Sequence, residues 1–341
     1  MYSWQRFVAA VVVVGATAGC SASSTPRSTG SAGASIPSTV APVEMPTPSA
    51  VAAVGKVVAK YSTFAGPLSF TGGRLYVSNG LDGQQRLEQV DPATGRLSSP
   101  VRTPPAMAYQ VAAGPGVLWL THPEEEPLSP PQPITGVNLA THKVMATLTE
   151  PNSYAAAVVG NFLWALDEAH DRVNKIDPAT GRIVMKVATG LYPFCIDYAF
   201  GSLWVGNHHG NTISRIDPNT GKVLETIGAG PGPGRITDGG GSIWVADWDG
   251  DSVTRIDPRT NKAVATIHVT GLPNAVAFAA GAVWLFDPET GVLSRIDPQT
   301  RSVVGGITLA TGDMGSYAIA ADGYLWLSIP GTATFKIDPA K

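Results

Sequence analysis

One pattern constrains this chain more than any other. Asp-Pro stands at Asp91, Asp177, Asp217, Asp257, Asp297 and Asp338, and Asn138-Leu139 fills the one large gap. Successive positions lie 39 to 47 residues apart. A second ladder runs in phase with the first: Tyr76, Trp119, Trp164, Trp204, Trp244, Trp284 and Trp326. A fixed period of this size marks a chain built from repeated supersecondary units. Two ladders of seven rungs give seven units.

Asn211 to Ile227, NTISRIDPNTGKVLETI, shows the unit most clearly. In Asp-Pro-x-Thr-Gly, proline presets the first corner of a type I turn. The Asp side chain accepts a hydrogen bond from a backbone N–H two residues on, and Gly takes the left-handed position that closes the hairpin. Asn261 tolerates that conformation in place of Gly. His142 and Arg301 tolerate it less well, so those two turns are expected to differ. A strand flanks the turn on each side, and upstream Gly-x-Leu-Trp-Val reads as a strand buried on both faces. A weaker strand led by Gly or Pro precedes it, as in Pro273 to Ala280. No long helical period occurs. A lone four-stranded sheet cannot bury both faces, but sheets stacked around an axis can. The expected fold is all-β: a seven-bladed β-propeller of four-stranded blades, with the Trp rings between blades. Residue 341 falls one strand short of a full blade, and the missing Gly-Lys-Val-Val stands at Gly55 to Val58. Lys56 to Tyr61 is therefore expected to be the outer strand of the last blade, removing two open edges.

Residues 1–20 read as a signal peptide. Arg6 is the positive flank, and the uncharged run Phe7 to Gly19 is too short to span a bilayer. Thr17-Ala18-Gly19-Cys20 resembles a bacterial lipobox, which would make Cys20 the lipidated N-terminus of a cell-membrane lipoprotein facing outside the cytoplasm. Cleavage after Ala18, giving a secreted soluble protein, is the alternative. Residues 21–50 form a Ser/Thr/Ala/Pro tether that cannot bury a core. As a flexible coil it would span about 30 Å. The propeller is assigned to residues 51–341. Cys195 would then be the second of only two cysteines, packed as a small apolar residue.

Charged residues make up 14% of the chain, the net charge is −3, and no basic stripe occurs, which argues against a nucleic-acid partner. Two loop sets of a propeller share one face. The set before each inner strand carries Tyr109, Tyr154, Tyr192, Phe194, Arg235, Asn274 and Tyr317. The set after each Trp strand carries His122, Asp167, Glu168, His170, His208, His209, Asp247, Trp248, Asp249 and Asp287. Acids, imidazoles and rings around one axis suit a small ligand, a peptide or a protein. Asp247, Asp249 and Asp251 alternate like the start of a calcium loop, without the closing acid. They also align with the ordinary turn Asn207 to Asn211. His208 or His209 could serve as a general base. Thr121 to Thr135 is the one long insertion, a lid for this face or a solvated acidic loop.

Trp204-Val-x-Asn207 with Asn211-Thr-Ile-x-x-Ile216-Asp217-x-x-Thr220 resembles the repeat of the YVTN-type propellers. The Gly-x-Leu-Trp strand is similar to that of the virginiamycin B lyase (streptogramin lyase) family. The second resemblance implies magnesium-assisted ring opening by elimination, using His and Glu on one face. Where that family's repeats read Trp-Phe-Thr-Glu, this chain has Asn79, Asp167, Asn207, Asp247 and Asp287, never Glu, so no catalytic residue carries over. A magnesium or calcium ion is the one cofactor class these readings suggest. Two functions stay open: a ligand- or protein-binding module acting through its loop face, and a metal-assisted lyase or hydrolase at the channel mouth.

Overall fold

A computed structural model of the chain describes residues 54–341 except 81–84, 104–107, 123–132, 149–152, 270 and 313–314. The signal peptide, Cys20, the tether and most of the 121–135 insertion lie outside the described residues. Twenty-eight strands are described, in seven antiparallel sheets of four. Blade four is typical: Pro193–Ala199, Ser202–Asn207, Thr212–Ile216 and Val223–Gly228, from the axis outward. The innermost strands touch in ring order, and that of blade seven meets that of blade one. The fold is a seven-bladed β-propeller. Blade seven takes its outer strand, Lys56–Tyr61, from the opposite end of the chain, paired antiparallel with Ala333–Asp338. Tyr61 then stacks on Phe64 and Trp326, with ring centroids 5.4 and 6.0 Å away.

The turns form as their chemistry dictates. The residue two after each Asp donates its N–H to the Asp Oδ1, from Ala93 through Ala340, and Ala140 does so to Asn138. Gly95, Gly181, Gly221 and Asn261 take the left-handed position. His142 and Arg301 take it too, at φ 52° and 56°. Each closes its turn with the N–H bond to the carbonyl four residues back. The expectation that these two turns differ is thus corrected. The side-chain bond at the corner, the backbone bond across the turn and the paired strands together outweigh a penalty of roughly 1 kcal/mol.

Between blades, each Trp packs on its neighbour. Trp204 of blade four lies with Ile243, Val245 and Ile256 of blade five. A cation covers several of these rings. Lys175 lies 5.4 Å from the Trp164 ring centroid, Arg215 4.8 Å from Trp204, Arg255 5.2 Å from Trp244 and Lys336 5.4 Å from Trp326. Each of the four also donates to the proline carbonyl of the next blade's Asp-Pro turn: Pro218, Pro258, Pro298 and Pro92. The Lys336–Pro92 bond joins blade seven to blade one.

A chain that begins after residue 61 leaves the outer side of Ala333–Asp338 unpaired in a three-stranded blade seven. It is expected to aggregate or to lose cooperative unfolding, as read by size exclusion and calorimetry. Tyr61→Ala in the full chain should cost about 2–4 kcal/mol. An intact melting transition in the truncated chain would refute the closing role of this strand.

Candidate functional site

Pro193 pairs with Asn207 and Pro233 with Asp247. The start of an inner strand and the end of the adjacent Trp strand therefore share one face, and the two loop sets meet there. Tyr109 of blade two lies 5.1 Å from Tyr154 of blade three, 5.9 Å from Phe194 of blade four and 6.4 Å from Tyr317 of blade seven, between ring centroids. Phe194 lies 4.8 Å from Tyr154, 5.5 Å from His208 and 5.2 Å from Trp248. Tyr192 stacks on His209 at 4.4 Å. The Arg235 guanidinium of blade five sits 5.0 Å from the Tyr109 ring, 5.0 Å from Tyr317 and 5.7 Å from Trp248. Blades two, five and seven are not neighbours, so their side chains meet only by crossing the axis. One continuous aromatic cap thus unites every ring and imidazole proposed as ligand-binding, with Arg235 at its base.

Local backbone builds this cap. Tyr192 stands at φ 56°, a left-handed conformation costly for a bulky residue, where blade five has Gly232 at φ 68°. The Tyr192 N–H donates to Asp171 Oδ1 at 2.7 Å, and its carbonyl accepts the His208 N–H at 2.8 Å. Gly234 lets Trp248 lie against the inner strand, since a Cβ there would overlap the indole.

Burial opposes the charge on Arg235, but the nearby Tyr109 and Tyr317 hydroxyls outweigh it and hold its pKa above the ordinary value. Burial lowers the pKa of His208, against the pull of Asp249, whose Oδ2 lies 3.4 Å from His208 Nε2. Burial raises Glu168 to about 7, although its Oε1 accepts the Tyr154 N–H at 2.9 Å. Cys195 is buried and pushed up to about 12 by burial. It packs as a small apolar residue, as its position in the repeat implied.

The acidic candidates have other work. Asp247 Oδ2 accepts from Ser252 at 3.0 Å and Thr254 at 2.7 Å. Asp249 is turned to His208, and Asp251 takes the left-handed position at φ 44°. The alternation of Asp247, Asp249 and Asp251 thus reflects a strand anchor, a rim residue and a turn cap. The three do not converge, and no cluster of three His, Cys, Asp or Glu side chains among the described residues could hold a metal ion. The other residues at the Trp-Phe-Thr-Glu position are buried and structural. Asn207 accepts from the Gly190 N–H and donates to Ser214. Asp287 closes a second Asp-Pro turn through Glu289 and Thr290. Asp167 is held ionised by His170, Asn174 and Arg172 against its burial. Asn274 accepts from the Gly315 and Ser316 N–H groups.

No protein-family model and no curated protein sequence matches the chain. A solved structure of streptogramin B lyase matches with a TM-score of 0.65 at 20% identity, over 82% of this chain and 95% of that one. At that identity the likeness is one of fold.

Glu168 and Asp247 are both raised to about 7, and the half-buried Asp197, by desolvation and then by Asp238, to about 6. The unfolded chain ionises these groups near pH 4, so it holds fewer protons than the folded chain between there and pH 7. Stability falls as pH rises through that window. Asp167 and the turn carboxylates of Asp91, Asp217, Asp257 and Asp297 are lowered instead, and their contribution is lost on acidification below the ordinary carboxylate range. The melting temperature is therefore expected to peak near pH 5 and fall toward pH 7.5, and Glu168→Gln should flatten part of that fall. A melting temperature that rises from pH 5 to 7.5 would contradict these environments.

Proposed function

We propose that this protein is an exported, lipid-anchored β-propeller that binds a small ligand or peptide through its loop face. The observation that carries the binding reading is the aromatic cap over Arg235, assembled from blades two, three, four, five and seven. Large rings supply contact area at low entropic cost, and a few polar groups between them set orientation. The address rests on sequence: the short apolar segment before Cys20 and the tether after it.

Tyr192→Gly tests the binding reading without endangering the fold, because glycine suits the left-handed backbone there. Relief of the left-handed backbone, roughly 1 kcal/mol, offsets part of the packing lost with the ring, so a cooperative melting transition should persist. Small molecules and peptides that stabilise the wild-type protein in a thermal-shift screen should lose at least tenfold in affinity. Hits that bind the variant unchanged would place binding elsewhere. For the address, Cys20→Ala should move the protein from the membrane fraction to the soluble one.

A lyase or hydrolase is the second reading. It is favoured by Glu168, a carboxyl raised to about 7 beside Tyr154, and by the His208–Asp249 pair on the same rim. Conversion of a streptogramin B by the wild-type protein, lost in Glu168→Gln, would decide for it. No conversion is expected from a binding module.

A further inference from the structure

We infer that Arg235 is the anchor for a carboxylate, and that the ligand of this face is a small organic acid with a planar or apolar body. The inference rests on the loop-face binding reading and names the chemistry of its ligand. Arg235 Nε and Nη2 are shielded from solvent and make no hydrogen bond within the protein. These two nitrogens form one edge of the guanidinium, the edge that receives a carboxylate through two parallel hydrogen bonds. No acidic side chain among the described residues forms an ion pair with Arg235. Its electrostatic neighbours are the Tyr109 and Tyr317 phenols and the Cys195 thiol. The buried Asp247 turns its Oδ2 to Ser252 and Thr254 and leaves Oδ1 unmatched, but makes no ion pair with Arg235.

Two more orphan polar atoms lie beside it. Trp248 Nε1 and His208 Nδ1 are buried without a hydrogen-bond partner, and their rings lie 6.2 Å apart. Trp248 is also the ring nearest Arg235 on the blade-five side. The repeat tryptophans of blades four, five and six donate their indole N–H to a carbonyl of their own blade, Ala199, Gly239 and Ala279, whereas those of Trp164 and Trp326 are also unmatched; what sets Trp248 apart is its place beside Arg235 and His208. Buried polar groups left unmatched are rare, and each calls for an explanation. Three on adjacent side chains, two of them pure donors, are matched together by an acceptor-rich anion. The flanking rings of Tyr109, Phe194 and Tyr317 supply the apolar walls for the rest of such a molecule. Trp248 is the ring best placed to turn aside for its entry. Its side chain has no hydrogen bond to hold it, and it sits in the short turn Trp248–Gly250 over Gly234.

A purely structural account makes Arg235 a bolt, held by the rings and hydroxyls of Tyr109 and Tyr317. The two accounts separate in one set of titrations on the full chain. The probes are benzoate and indole-3-acetate, each against its neutral amide, followed by calorimetry and by Trp fluorescence. Wild type is expected to bind each acid at least tenfold more tightly than its amide. Arg235→Gln should bind acid and amide equally. Arg235→Met, which removes a buried charge that has no acidic partner, should melt at or above the wild-type temperature. Equal affinity of wild type for acid and amide would overturn the carboxylate assignment, and would leave loop-face binding standing if Tyr192→Gly weakens both probes. No binding of either acid, or an acid preference that survives in Arg235→Gln, would also overturn it. So would a lower melting temperature for Arg235→Met, the signature of a bolt.

Discussion

A cation laid across a tryptophan, with its head on the next blade's turn, ties one blade to the next at four of the seven boundaries. Hairpin hydrogen bonds hold each blade internally, but they say nothing about the neighbour. Lys175, Arg215, Arg255 and Lys336 cross that boundary. Their stems cover the indoles, and their charged ends reach carbonyls at Pro218, Pro258, Pro298 and Pro92. A charge-assisted bond and a cation–π contact are together worth about 1–3 kcal/mol. The contact also fixes spacing, because the Asp-Pro corner presents its carbonyl only when the turn is intact. Turn chemistry and blade packing therefore stand or fall together, and the ring closes on both levels at blade seven, through Lys336 and through Lys56–Tyr61.

The closed ring is what permits the aromatic cap. Tyr109, Arg235 and Tyr317 come from strands far apart in sequence and from blades that share no edge. Only a complete circle brings them within 5 to 6.4 Å. Tyr192 adds a cost that packing alone does not ask for, since blade five makes the same turn with glycine. Strain of this kind persists where surrounding structure over-determines it, and it concentrates at working sites.

The fold was legible because its signals are local and repeated. Asp-Pro corners, Gly-x-Leu-Trp strands and the stray Gly-Lys-Val-Val were enough to count blades and to place the closing strand. The assignment of Tyr109, Tyr154, Tyr192, Arg235, His208, His209, Trp248 and Tyr317 to one face followed from strand direction alone. Three things were not legible. The clasping role of Lys175, Arg215, Arg255 and Lys336, each two before its Asp, depends on the neighbouring blade, which no single repeat contains. The environment of Glu168 depends on burial, and nothing in Asp-Glu-Ala-His announces it. Asp247, Asp249 and Asp251 have the spacing of a calcium loop, but a strand end followed by a tight turn imposes the same spacing for reasons of its own. His142 and Arg301 show the complementary case, in which residue preference yields to a turn fixed by its other bonds.

The two ends of the propeller differ in one respect that bears on where its work is done. On the Asp-Pro end, carboxylates meet N–H donors and are held below their ordinary range. On the loop end, Glu168 and Asp247 are held up near neutrality, His208 is pushed toward its neutral form, and Arg235, Trp248 and His208 each keep a buried atom without a partner. A repeat that solves its hydrogen bonding seven times over at one end could do the same at the other. Blade four comes close, with Asn207 bonded to Gly190, Thr212 and Ser214. On this face Arg235, Trp248 and His208 leave buried atoms unmatched side by side, under rings drawn from five blades. Since an unmatched buried group costs about 1–3 kcal/mol, these three neighbours together carry a stability cost, and a bound anion is the partner whose chemistry would offset it.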